Sequence, residues 1–108
     1  MDASQVLKQY FGYDSFRKGQ SDIIEAILQG HDALAIMPTG AGKSVCYQVP
    51  ALLLPGITIV ISPLISLMQD QVKSLNEAGI NAAYINSTLS ESQMYKALDY
   101  AANGKYKI

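Results

Sequence analysis

At 108 residues the chain has room for one domain, and 49% hydrophobic against 16% charged residues exclude a disordered tail. A formal net charge of -1 leaves no bulk basic footprint, so any contact to DNA or RNA has to come from individually placed groups. The single cysteine, Cys46, allows no internal disulfide, and neither a secretory leader nor an apolar run of ~18 residues is visible; the expected setting is reducing, cytosolic or nuclear, and not a membrane.

The opening stretch SQVLKQYFGY places Val6, Leu7, Tyr10 and Phe11 at helical spacing, with Gly12 set to stop the helix. In GQSDIIEAILQG, Ile23, Ile24, Ile27 and Leu28 share a second helical face that ends at Gly30. The period then changes. Leu34 to Met37 is a continuous apolar run, the pattern of a parallel strand buried on both faces. After a glycine-containing loop, Val45, Cys46 and Val49 resume helical spacing, and Pro50 predicts a break with a second turn restarting there. GITIVIS is a second strand, and SLMQDQVKSLNEAG a helix with Leu67, Met68, Val72 and Leu75 inward and Gly79 at its end. AAYI is a third strand. Ser90 to Gln93 has the form of a capping box, followed by Met94, Ala97, Leu98 and Ala101 in a helix that closes before Gly104. KYKI reads as the start of a further strand. Strands alternating with helices predict an α/β fold, a three-layer αβα sandwich around a parallel sheet. The absence of a linker or repeat predicts no internal domain boundary, and the sheet that is only begun at Ile108 reads as a fragment.

The loop between the first strand and its helix, MPTGAGKS (37–44), fits the phosphate-loop pattern G-x-x-x-x-G-K-[ST] except that Met37 replaces the first glycine. A polyphosphate is cradled when a tight loop points successive backbone N–H groups inward at a helix N-terminus. Gly40 and Gly42 permit such a backbone, Lys43 supplies a point charge for the β- and γ-phosphates, and Ser44 offers its hydroxyl to Mg²⁺. The competing reading is a plain strand-to-helix turn with a surface lysine. Glycine spacing, Lys-Ser and strand-to-helix context together favour the phosphate site, and Met37 lies ahead of the donors that would wrap the anion.

FGYDSFRKGQSDII ahead of the loop, CYQVPALL behind it and VISPLISLMQDQV after it make the chain similar to the RecQ family of superfamily 2 DNA helicases, from about Leu7 onward. The resemblance implies a RecA-like P-loop NTPase fold, with 1–108 the N-terminal portion of the first RecA-like, ATP-binding domain. It implies ATP and Mg²⁺ as cofactors, bound through Thr39, Gly40, Ala41, Gly42, Lys43 and Ser44, the last two also catalytic. It further implies that Gln20 hydrogen-bonds adenine, that Tyr13 stacks on it and that Arg17 supports the pocket. A carboxamide matches the N6 donor and N7 acceptor of adenine; from spacing alone, Gln20 and Tyr13 read equally well as a first-turn polar residue and a packing residue. DNA, as a single-stranded tail or unwound duplex, would meet Ser62, Leu64 and Ser66 in one loop and Asn86 and Ser87 in the next, with Thr88 a further candidate. Helix capping by Ser62 or Ser66, and by Thr88 or Ser90, uses the same geometry and stands beside that reading.

His31 reads as a turn residue, Cys46 as a small buried hydrophobe and Asp70 as a solvated carboxylate, since no metal-ligand cluster accompanies them. Triphosphate hydrolysis normally needs a carboxylate pair at a strand end and an arginine finger, and no apolar segment here ends in Asp-Glu. The resemblance puts the acidic box just after Ile108 and the arginine on a second lobe. The parent is then expected to be an ATP-driven DNA helicase acting in recombination or repair, in the bacterial nucleoid or the eukaryotic nucleus, and the isolated chain to be inactive. Another P-loop NTPase, a small phosphotransferase or a non-enzymatic nucleotide-binding module are the alternatives. The sequence leaves the oligomeric state open.

Overall fold

The computed structural model describes residues 1–38 and 42–108. The chain divides into two compact units, Met1–Pro55 and Gly56–Ile108.

In the first unit, α1 (Ala3–Val6) opens on a capping box: the Asp2 carboxylate accepts from the Gln5 N–H at 2.9 Å, and the Gln5 side chain accepts from the Asp2 N–H at 2.8 Å. It runs directly into a wider, π-type turn over Leu7–Phe11 that stops at Gly12. Helix α2 (Gln20–Leu28) follows, with Asp22 in its first turn, where the helix dipole favours a negative charge. Helix α3 (Val45–Leu53) contains Pro50 without a break, contrary to the expected restart. Pro50 forfeits one N–H bond, but its ring is fully buried between Val49 and Ala51, both 0% exposed, and its carbonyl still accepts from Leu54 at 2.9 Å. Tertiary packing therefore outweighs the local cost.

Val6, Leu7, Ile24, Val45 and Val49 form the core of this unit, with Tyr10, Phe11, Phe16 and Leu28 packed against them. Each fully buried aliphatic side chain contributes about 1.5–3 kcal/mol relative to exposure. Because Ile24 lies one turn after Gln20 and Val45 directly follows Ser44, the same cluster fixes where α2 and α3 begin.

The second unit carries α4 (Ile65–Glu77) and α5 (Glu91–Ala102). The expected capping box is formed: Ser90 Oγ accepts from the Gln93 N–H at 3.2 Å and Gln93 Oε1 from the Ser90 N–H at 2.8 Å. Burial on α4 is confined to its C-terminal end, at Leu75; Met68 and Val72 are half-buried, and Leu67, expected inward, is exposed. Asn76 fastens that end to the next segment, donating to the Ala82 carbonyl at 3.2 Å and accepting from its N–H at 3.0 Å.

The parallel sheet of the expected αβα sandwich is not formed among the described residues, in which no strand pairs into a ladder. Leu34 and Ile36 are 90% and 89% exposed, and Ile59 and Ile61 80% and 94%. A strand buried on both faces needs paired neighbours on both edges and helices on both sides, and neither unit supplies them. The second unit does hold the beginnings of lateral pairing. Thr58 N–H donates to the Lys107 carbonyl at 3.0 Å, Lys107 N–H to the Asn81 carbonyl at 2.7 Å, and Ala83 N–H to the Ile108 carbonyl at 3.2 Å. Partners advance together along both segments, which is the parallel sense, and residues 107–108 lie between 58 and 81–83.

Candidate functional site

Two helix starts of the first unit meet through one side chain. Gln20, the first residue of α2, is 4% exposed. Its Oε1 accepts from the Arg17 N–H at 2.7 Å and its Nε2 donates to the Gly42 carbonyl at 3.0 Å. Backbone N–H and C=O are unambiguous as donor and acceptor, so the orientation of the carboxamide is fixed by chemistry. Gly42 has φ +79°, and a Cβ there would lie 2.3 Å from Gln20 Nε2. Glycine is therefore required both for the backbone conformation and for the approach of the amide.

Lys43 is exposed beside Gly42, and Ser44 occupies the N-cap position of α3. Ser44 makes no side-chain capping bond, although serine is a preferred capping residue. Its hydroxyl is thus not spent on the helix, while its carbonyl accepts from Gln48 at 3.0 Å. This fits a role for the hydroxyl toward a cation or anion at the mouth of α3. Tyr13 and Arg17 are exposed on the segment before α2. Thr39, Gly40 and Ala41 lie outside the described residues.

Cys46, one turn into α3, is buried as expected, with Sγ 3.9 Å from both the Met37 sulfur and the Gly42 carbonyl. Burial pushes its thiol pKa up, with a backbone hydrogen bond pulling the other way. It packs as a small buried side chain on α3. Gln48 is also buried, although a polar residue at helical spacing reads as solvent-facing.

The second unit holds the other candidates. Ser62 Oγ accepts from the Leu64 N–H at 3.3 Å, closing a turn ahead of α4. The N-cap is Leu64, which has no side-chain acceptor, and Ser66 lies inside the helix; neither serine caps it. In the next loop, Asn86 Oδ1 accepts from the Thr88 N–H at 2.9 Å, whereas Asn86 Nδ2 is buried without a hydrogen-bond partner. Ser90, not Thr88, caps α5. Ser87 is exposed, and Gln69 Nε2 reaches Thr88 Oγ at 3.4 Å, drawing the first half of α4 to the 86–88 turn. His31 and Asp70 are exposed, and no group of three or more His, Cys, Asp or Glu gathers among the described residues.

The sequence profile of the DEAD/DEAH box helicases matches residues 17–108, and the chain belongs to that family, whose fold is the RecA-like P-loop fold. Within it the likeness is to RecQ proteins. The chain is 56% identical over 107 residues to the ATP-dependent DNA helicase RecQ of Bacillus subtilis (strain 168), covering 98% of this chain and 18% of that protein. It is 52% identical over 106 residues to the RecQ helicase of Haemophilus influenzae, covering 98% and 17%, and 57% identical over 105 residues to ATP-dependent DNA helicase Q-like 5 of Arabidopsis thaliana, covering 97% and 11%. The chain thus spans under a fifth of the length of these relatives.

Proposed function

We propose that residues 1–108 are the N-terminal portion of the first RecA-like domain of an ATP-dependent DNA helicase of the RecQ kind, and that they form the part that holds the nucleotide. The observation that carries this reading is the mouth of α3, where Lys43 is exposed and the Ser44 hydroxyl, at a helix N-terminus, caps no N–H of the helix. Lys43 binds the β- and γ-phosphates, and Ser44 gives its hydroxyl to Mg²⁺, which neutralises phosphate charge. Thr39, Gly40, Ala41 and Gly42 complete the cradle with their backbone N–H groups. Tyr13 stacks on adenine, with Arg17 beside it. Gln20 has one amide hydrogen and one lone pair beyond the bonds it makes within the chain, and these are what it offers the base.

DNA is met by the second unit through Ser62, Leu64, Ser66, Asn86 and Ser87. The link from Gln69 to Thr88 supports a shared face for the two loops. The Leu64 N–H is engaged with Ser62 Oγ, so the Ser62 hydroxyl hydrogen, Ser66 and Ser87 are the better phosphate donors. The Mg²⁺-holding carboxylates and the arginine that turn binding into hydrolysis come from the remainder of the parent protein, which unwinds DNA in recombination and repair in the bacterial nucleoid or the nucleus. No helix among the described residues is long and apolar enough to cross a membrane.

Titration calorimetry of the chain with Mg-ATP and Mg-GTP tests this. ATP is expected to bind more tightly, and Lys43→Ala to remove binding while leaving the circular dichroism spectrum unchanged. Retained affinity in Lys43→Ala overturns the phosphate role, and equal affinity for ATP and GTP overturns the adenine pocket.

A further inference from the structure

We propose that Gln69, Thr88 and Asn86 are positioning residues that hold the Ser87 turn against α4, so that the loops before α4 and α5 meet one nucleic-acid strand as a unit; this rests on the DNA-binding reading above. Residues 86–89 close a turn in which the Leu89 N–H donates to the Asn86 carbonyl at 3.2 Å. The Asn86 side chain tightens it, Oδ1 accepting from the Thr88 N–H at 2.9 Å and from the Thr88 hydroxyl. Asparagine favours this position because its side chain reaches the backbone two residues on. With both donors on Oδ1 the orientation of the carboxamide is set, and Nδ2 lies buried with no hydrogen-bond partner. The Asn86 side chain is therefore spent inside the turn, and Ser87, the next residue, is the one left exposed for a phosphate.

The Thr88 hydroxyl gives its one hydrogen to Asn86, so toward other groups it acts as an acceptor. Gln69 Nε2 donates to it at 3.4 Å. The three side chains thus form a single run of donors, from Gln69 to Thr88 to Asn86, that ties the turn to a helix 19 positions earlier. Gln69 stands three residues after Ser66, the spacing that places two side chains on one helix face. The face of α4 that carries the exposed Ser66 is then the face to which the Ser87 turn is fastened. Two weak phosphate contacts held at a fixed separation bind one strand better than the same contacts on loops that move independently. A chain with a net charge of -1 has little bulk attraction to add. Gln69 and Thr88 act through this tie without touching the strand.

Fluorescence anisotropy of the chain with a short labelled oligothymidylate at low salt tests this. Asn86→Ala is expected to weaken binding about fivefold. Asn86→Ser, whose hydroxyl can still accept from the Thr88 N–H, is expected to recover most of that loss. Gln69→Met keeps the length and helix propensity of the side chain but loses the donor, and should weaken binding about twofold to threefold. Asn103→Ala removes a bond to the Asp99 carbonyl at the far end of α5 and should lower the thermal midpoint without changing oligonucleotide affinity, which separates positioning from general stability. Amide exchange by NMR reads the turn without DNA: the Thr88 N–H should exchange more slowly than that of Ser87 in the unaltered and Asn86→Ser chains, and no more slowly in Asn86→Ala. Equal exchange at the two residues in the unaltered chain overturns the proposal without any variant. If Asn86→Ser binds as weakly as Asn86→Ala while Thr88 stays protected, the Asn86 amide itself touches DNA and the proposal is wrong; unchanged affinity in Gln69→Met removes the tie to α4. If the unaltered chain binds no oligothymidylate, the DNA reading itself falls and the proposal with it, while the nucleotide site stands.

Discussion

Replacing Gly42 with alanine puts two separable stresses on the site. At φ +79° the alanine backbone sits in the left-handed region, at a cost of about 1–2 kcal/mol. The new methyl would also lie 2.3 Å from Gln20 Nε2, closer than real contacts allow, so the carboxamide has to leave. Its departure breaks the bonds to Arg17 and Gly42 and strands a buried amide, adding about 1–3 kcal/mol. The sum, about 2–5 kcal/mol, is a large fraction of the 5–15 kcal/mol typical of a folded domain. With a urea dependence of about 1.5 kcal/mol/M, the unfolding midpoint should fall by about 1.3–3.3 M. Gly30→Ala is the matched control, since Gly30 has φ +86° and nothing within 4 Å of its would-be Cβ; it should show the backbone share alone. In the double variant Gly42→Ala, Gln20→Ala the methyl meets no amide, so the two losses should be less than additive. If Gly42→Ala and Gly30→Ala shift the midpoint equally, the contact with Gln20 contributes nothing and the argument fails.

Other expectations concern the second unit and the cysteine. Ser90→Ala removes one half of the capping box and should cost about 1 kcal/mol, read as a drop of about 4 °C in the thermal midpoint with ATP affinity unchanged; an unmoved midpoint would show that the box is not formed in solution. Cys46 should react with iodoacetamide far more slowly in the native chain than in urea, because it is buried and its thiol is harder to ionise. The thiol ionises at higher pH folded than unfolded, so its contribution to stability is complete below the ordinary thiol pKa and declines as pH rises through it. Equal alkylation rates in the two states would contradict the burial.

The helices were legible because their signals are local. The glycines at 12, 30, 79 and 104 end them with positive φ, and Ser90 and Gln93 announce α5 from three residues apart. Pro50 misled because its penalty is local, whereas the burial that overrides it comes from residues remote in sequence, such as Val6 and Ile24 around Val49. The apolar runs at 34–37 and 57–61 have the composition of buried strands, yet pairing is a property of neighbours, and composition does not supply them. At the site, the spacing of Gly42, Lys43 and Ser44 pointed to phosphate, and the RecQ resemblance brought in Gln20. The hydrogen bond joining Gln20 to Gly42, 22 residues away, has no signature in either motif.

The bonds that place residues 107–108 between 58 and 81–83 carry a consequence for how the chain is made. The middle member of the trio is synthesised last, and Lys107 Nζ also reaches back to the Gly56 carbonyl, 51 positions earlier, at 2.9 Å. While a ribosome is still adding α5, the two earlier segments have to wait with their inner edges open, and premature pairing of one with the other would exclude the latecomer. Until that last segment arrives, the Asn81 carbonyl and the Thr58 N–H have only water to pair with.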